Sequence, residues 1–223
     1  MLRESDRSQE VLVPAAGVEL DATLAWPPEA QSVVLFAHGS GSSHRSPRNH
    51  YVADVLNQAG IATLLMDLLS PEADRDHERR FDIGLLTTRL IAATEWILAK
   101  APTQPVAIGY FGANSGTAAA LCAASVLDHQ IDAIVSRSGR PDLASKSVLA
   151  RIKAPTLLIV GGLDTAVIEF NDVACALLHC EKELVLVPGA THLFEEPGAL
   201  QQAAQLSAQW FQQHFDTSRS EQR

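Results

Sequence analysis

Four short stretches of this chain carry residue types that can do chemistry together. In Gly112-Ala113-Asn114-Ser115-Gly116, glycines stand two before and two after a central residue. That spacing permits a sharp strand-to-helix turn, which lifts the central side chain above a sheet and beside a helix N-terminus. Gly161-Gly162-Leu163-Asp164-Thr165 holds an acid that can orient an imidazole, and Pro188-Gly189-Ala190-Thr191-His192 ends in an imidazole that can act as a base. His38-Gly39-Ser40-Gly41-Ser42-Ser43 is built of small residues, so its backbone can approach a ligand and aim N–H groups at a developing oxyanion. Each stretch also has a plainer reading: a flexible loop, a packing turn, a turn or cap acid, a surface histidine. The G-x-G-x-x-G spacing of a dinucleotide site is absent from the glycine-bearing turn.

The elements that must position these residues alternate along the chain. Short apolar or β-branched runs at 11–13, 21–25, 32–37, 61–66, 106–111, 131–137, 156–160 and 183–187 read as strands. Stretches of helical period at 49–59, 82–100, 115–127, 167–178 and 198–215 read as helices, with a short one around 142–150 and a polar tail from about 216. Such alternation predicts a mostly parallel sheet covered by helices on both faces, with right-handed crossovers and ligands at the carboxyl ends of the strands. All four stretches fall at strand ends. The order is turn, acid, base, which is the chain order of the α/β-hydrolase triad.

Composition narrows the partners. The 223 residues suit one domain spanning 1–223, with no internal repeat and no long linker. Seventeen basic against twenty-six acidic residues give a net charge of −9, which disfavours a nucleic-acid partner. No run approaches the ~18 apolar residues of a membrane span, and the polar start lacks the pattern of a secretion signal. Three cysteines, Cys122, Cys175 and Cys180, cannot all pair within the chain; free thiols in a reducing cytoplasm are expected, in a monomer or homodimer. Neither they nor His44 and His50 have metal-ligand spacing, so no metal is expected.

The blocks A-H-G-S-G-S-S at 37–43, S-P-R-N at 46–49, G-Y-F-G-A-N-S-G at 109–116, S-G-R-P-D-L-A at 138–144, G-G-L-D-T at 161–165 and V-P-G-A-T-H-L-F-E-E-P-G at 187–198 resemble those of the dienelactone hydrolase-like branch of the α/β-hydrolases. The resemblance covers nearly the whole chain. It implies a three-layer α/β-hydrolase fold without a lid domain, acting on a small-molecule ester or lactone without a cofactor. Asp164 would be the triad acid and His192 the base. The oxyanion donors would be the backbone N–H of Ser115 and one from Ser40–Gly41.

One residue departs from that pattern. The family has Ser or Cys at the centre of the turn, and this chain has Asn114. An amide nitrogen is delocalised and is not activated by a base as a hydroxyl or thiol is. Asn does tolerate left-handed backbone, so the turn itself is expected to form. Four explanations compete. Ser115 acts as nucleophile one position late, although its neighbours two away are Ala113 and Thr117 rather than glycines. His192 activates water directly while Asn114 positions substrate. Asn114 deamidates through the Ser115 nitrogen to an aspartate, if the strained turn reaches the geometry for cyclisation. Or the chain binds a small molecule without turnover.

Arg137 and Arg140 follow a strand end and offer guanidinium groups for a substrate carboxylate, against the plainer reading of surface or loop-stabilising ion pairs. His44, Arg45, Arg48 and His50 form a basic cluster that could guide an anion or serve the next helix start. The charge run 74–80 reads as a solvated loop.

Overall fold

The computed structural model describes residues 8–39, 43–100 and 106–221. It opens with a hairpin of β1 (Ser8–Ala15) and β2 (Val18–Ala25), joined by Ala16 and Gly17 at φ 49° and 83°. Two consecutive left-handed residues match the twist of a two-residue hairpin turn. The strands that follow are β3 (Ser32–Ala37), β4 (Ala62–Met66), β5 (Ala107–Asn114), β6 (Ala133–Gly139), β7 (Thr156–Gly161) and β8 (Lys182–Val187). The sheet has eight strands in the order β1-β2-β4-β3-β5-β6-β7-β8. The hairpin lies antiparallel at one edge, and every pairing from β4 to β8 is parallel.

The helices are α1 (Pro47–Gln58), α2 (His77–Arg80), α3 (Ile83–Lys100), α4 (Ser115–Leu127), α5 (Lys146–Leu149), α6 (Thr165–Leu177) and α7 (Ala199–Glu221). They form the outer layers. Along β3 the continuous apolar run splits by strand period. Val33, Leu35 and Ala37 enter one core with Leu86, Leu90 and Ala93 of α3 and Ala120 of α4. Val34 and Phe36 enter the other with Val52 and Leu56 of α1 and Phe211 and Phe215 of α7. This is a three-layer α/β-hydrolase-like fold, and no lid domain interrupts the segment between β6 and β7.

Local expectations change in several places, three of them near the site or the chain's end. The charge run 74–80 is not wholly loop: residues 77–80 make a helical turn, because the Asp76 side chain accepts the Glu78 N–H at 2.9 Å as an N-cap. The closing helix continues past 215 to Glu221, since neither Gly nor Pro stops it. And β5 extends three residues beyond 111, through the glycine-bearing turn, by pairing Asn114 with Gly139 across a register shift. Cys122, Cys175 and Cys180 are free and half-buried. Among the described residues no helix is long and apolar enough to cross a membrane.

Candidate active site

The turn after β5 is made possible by what its glycines lack. Asn114 sits at φ 50°, ψ −130°, the N-cap of α4. A Cβ on Gly112 would lie 2.6 Å from Thr117 Cα, and one on Gly116 would lie 1.9 Å from the Ala37 carbonyl oxygen. The two glycines thus let α4 start directly against β5 and β3. On the other side of the turn, a Cβ on Gly39 would come within 2.4 Å of Asn114 Cβ, so the loop after β3 touches the central side chain. The Asn114 carbonyl accepts a hydrogen bond from the Arg140 N–H at 3.0 Å, which fixes the peptide entering α4. Asn114 itself is half-buried.

The acid and the base are held by two loops tied to each other. After β7, Gly162 N donates to Val187 O at 2.8 Å and Leu163 N to Ala190 O at 2.9 Å. A side chain on Gly161 would collide with the carbonyls of Ala190 and Thr191, so the loops pack backbone to backbone. Past β8, Glu196 accepts from Thr191 N at 3.0 Å and Thr191 Oγ1 at 2.6 Å, pinning the residue before His192. The result is a hydrogen bond of 2.6 Å from His192 Nδ1 to Asp164 Oδ2. Asp164 is 14% exposed and His192 39%, so the carboxylate is sheltered and the imidazole reachable. With Nδ1–H committed to the carboxylate, Nε2 carries the lone pair.

Ser115 is fully buried at the first position of α4, and its hydroxyl points to the Arg80 carbonyl at 3.4 Å. That hydroxyl is directed at the α2 segment rather than at the imidazole, as expected when successive side chains of a sharp turn diverge. Its backbone N–H is one of the helix-start donors without an intrahelical acceptor. The second oxyanion position expected at Ser40 and Gly41 lies outside the described residues.

The two arginines differ from each other. Arg140 makes a two-point ion pair with Asp142, at 2.8 and 2.7 Å, and stacks over Phe170, which is the loop-stabilising alternative. Arg137 is only 8% exposed, so it is no surface ion pair. It lies over the Phe111 ring and donates to Asn49 Oδ1 at 3.4 Å. Burial, with Arg48 nearby, lowers its pKa to about 10. Arg140 is thus engaged by Asp142, whereas Arg137 keeps a buried Nη1 with no hydrogen-bond partner among the described residues.

One cluster escaped the sequence reading. Asp67, just past β4, accepts from His38 Nε2 at 2.9 Å, His44 Nδ1 at 2.9 Å and His44 N at 2.6 Å. Burial pulls its pKa up, but these hydrogen bonds outweigh burial and hold it below the usual carboxylate range. His44 is therefore a buried brace for the loop after β3 rather than part of a guiding surface. A cavity of about 370 Å³ opens beside this brace, lined by His38, Gly39, Asp67, Leu68, Arg80 and Leu86. It reaches the turn through Gly39, against Asn114, and through Arg80, the acceptor of the Ser115 hydroxyl. The signal for Asp67 was available, since it too follows a strand end. Among the described residues no cluster of His, Cys, Asp or Glu is arranged to hold a metal ion.

No family model matches the chain. It is 52% identical to a dienelactone hydrolase of Anabaena variabilis whose crystal structure superposes with a TM-score of 0.88, covering 94% of this chain and 99% of that one. The Est1E structure from Butyrivibrio proteoclasticus shares the fold at 19% identity and a TM-score of 0.78, covering 92% and 98%. Proteins from two Mycobacterium tuberculosis strains, provisionally named as phosphoribosyl transferases, are 51% identical over 209 residues, covering 94% of this chain and 47% of theirs. The chain spans about half the length of those curated relatives. Identity of 52% over 94% of this chain and 99% of the Anabaena protein places the chain in the dienelactone hydrolase-like family of α/β-hydrolases.

Proposed function

We propose that the chain hydrolyses a small carboxylic ester or lactone by direct attack of water. The observation that carries this reading is the Asp164–His192 pair, a sheltered carboxylate 2.6 Å from an accessible imidazole. His192 Nε2 takes a proton from water as the hydroxyl oxygen adds to the substrate carbonyl. Asp164 stabilises the imidazolium that forms. The Ser115 N–H and the Asn114 amide receive the oxyanion. The imidazolium then returns the proton to the departing alkoxide as the carbonyl re-forms. No acyl-enzyme intervenes, so the two-step route of the family collapses to one slower step. The transferase activity in the name of the mycobacterial relatives is not carried to this chain, which covers 47% of their length.

Asn114 favours a second reading, retention of the fold as a small-molecule binder without turnover. Release of acid from a panel of activated esters and lactones separates the two. The reading requires slow hydrolysis that His192→Ala abolishes, that Ser115→Ala leaves largely intact, and that Asn114→Ser raises. Activity appearing only in Asn114→Ser supports the binder. If His192→Ala is as active as the parent chain, both the pair and the hydrolytic reading are wrong.

A further inference from the structure

The backbone of the elbow holds Asn114 in a conformation with a chemical consequence. For an asparagine to cyclise, the next residue's nitrogen must bond to its own Cγ, giving a five-membered imide. Such a ring is nearly flat, so Cβ and that nitrogen must eclipse each other about the Cα–C bond. In an L residue Cβ lies about 120° around that bond from the residue's own nitrogen, so eclipsing requires ψ near −120°. Ordinary helix and strand backbone is far from that value, which is why folding usually protects asparagines. Asn114 has ψ −130°, within about 10° of the closed ring. The positive φ of 50° that permits this belongs to the elbow and is fixed from both sides, by the glycine contacts on Ala37 and Thr117 and by the Arg140 hydrogen bond to the Asn114 carbonyl. Only rotation about Cα–Cβ is left to bring Cγ onto the nitrogen. The following residue is Ser115, small and already turned into the helix start.

We infer that Asn114 is a self-modifying residue, cyclising onto the Ser115 nitrogen within the native fold. In the first step the Ser115 N–Cγ bond forms, the Cγ–Nδ2 bond breaks, and the Ser115 amide proton leaves with Nδ2 as ammonia. Water then opens the imide. Attack at the side-chain carbonyl gives aspartate; attack at the main-chain carbonyl gives isoaspartate, with one more methylene in the backbone. Aspartate places a carboxylate where the family has its nucleophile. Isoaspartate lengthens the turn and dismantles it. The significance for turnover rests on the hydrolase reading above, whereas the cyclisation does not.

Freshly purified chain, incubated at neutral pH in ¹⁸O-labelled water, is compared by peptide mapping in its native state and unfolded in urea. The native backbone has already given up the freedom that the unfolded residue must lose, so conversion at 114 is expected about tenfold faster in the folded protein. Loss of ammonia should precede uptake of one labelled oxygen. Asn49, Asn57 and Asn171, all in helices, serve as internal controls and should stay amides in the native chain. Aspartate or isoaspartate already present at 114 alone, in protein that was never unfolded, also supports the inference. Equal or slower conversion in the native state overturns it, as does conversion of Asn114→Gln at the same rate, since the extra methylene removes the five-membered closure. An amide at 114 that persists in native protein overturns cyclisation whatever the ester assay shows. A hydrolytically inert Asn114→Ser chain overturns the hydrolase reading whatever the masses show.

Discussion

Gly116→Ala should dismantle the elbow, and its cost can be worked from contacts already described. The added Cβ would sit 1.9 Å from Ala37 O, 2.5 Å from Ala37 C and 2.9 Å from His38 C, where ordinary contact begins at 3.4 Å. All three atoms are backbone at the end of β3, so no side chain can swing aside. The start of α4 must retreat from β3 by about 1.5 Å, and a close-packed interior does not absorb that locally. Overpacking of this kind costs roughly 3 kcal/mol. For a chain of this length that corresponds to a fall in melting temperature of about 6–12 °C, followed by circular dichroism. If the protein survives, the Ser115 N–H is displaced by a similar distance, and ester hydrolysis should fall on the order of a hundredfold. Gly84→Ala supplies the internal control. Its Cβ would meet only Asp82 Oδ1 at 3.4 Å, on α3, so the same chemical change should stabilise by about 0.5 kcal/mol. A Gly116→Ala melt within about 2 °C of the parent would refute the packing argument, because the clash leaves no rotamer by which to escape.

Three further outcomes follow from the site. Asp164→Asn removes the charge that orients His192 and should cut ester hydrolysis by about 10²–10⁴ with little change in melting temperature; an unchanged rate would show that the imidazole needs no partner. Arg137→Met removes a buried guanidinium whose lowered pKa of about 10 corresponds to roughly 3 kcal/mol of unfavourable burial, full at every pH below that value. After loss of its Phe111 and Asn49 contacts, a net rise in melting temperature of about 2–4 °C is expected at pH 7, and a fall would mean that the charge is compensated. Asp67→Asn should lower the melting temperature at neutral pH, with the difference closing in acid: a carboxyl held below its unfolded value of 3.8 contributes fully above that pH and loses its contribution as pH falls through the folded value. A difference independent of pH between 7 and 2 would remove the His38–Asp67–His44 hydrogen bonding from the account.

The sheet was legible because its strands are buried on both faces and so read as continuous apolar runs, with β3 and β4 the clearest. The helix at 77–80 was hidden because seven charged or polar residues in a row carry no apolar period, and only the Asp76 cap reveals it. Of the antiparallel hairpin, β1 was underestimated at both ends and β2 at its start, since β1 is mostly exposed and sets only Val11, Val13 and Ala15 against the core. Arg137 was misjudged for a related reason. A single arginine at a strand end looks solvated in sequence, and its burial over Phe111 and beside Asn49 of α1 is set by tertiary packing.

The candidate site divides along the same line. Glycines announced where backbones must touch: Gly112 against the start of α4, Gly116 against β3, Gly39 against Asn114, Gly161 against the histidine loop. A missing side chain is a strong statement about a neighbour's position, so the meeting of acid and base loops was readable from a pair of glycine-bearing stretches far apart in sequence. Polar partners are weaker statements, because one acid near one histidine has many innocent explanations. Asp67 shows the cost of that asymmetry: it makes more hydrogen bonds than Asp164, yet no glycine flags it and its partners lie 23 and 29 residues away. The fate of Asn114 belongs to neither class. Its residue type forbids the family's nucleophilic step, but the same glycines that build the elbow fix ψ at −130°, which leaves only a Cα–Cβ rotation between the side chain's carbonyl carbon and the one bond it can form unaided. A turn selected to present a nucleophile is therefore, with asparagine in it, a turn that favours imide closure, and the chemistry of the position is set by its torsions as much as by its side chain.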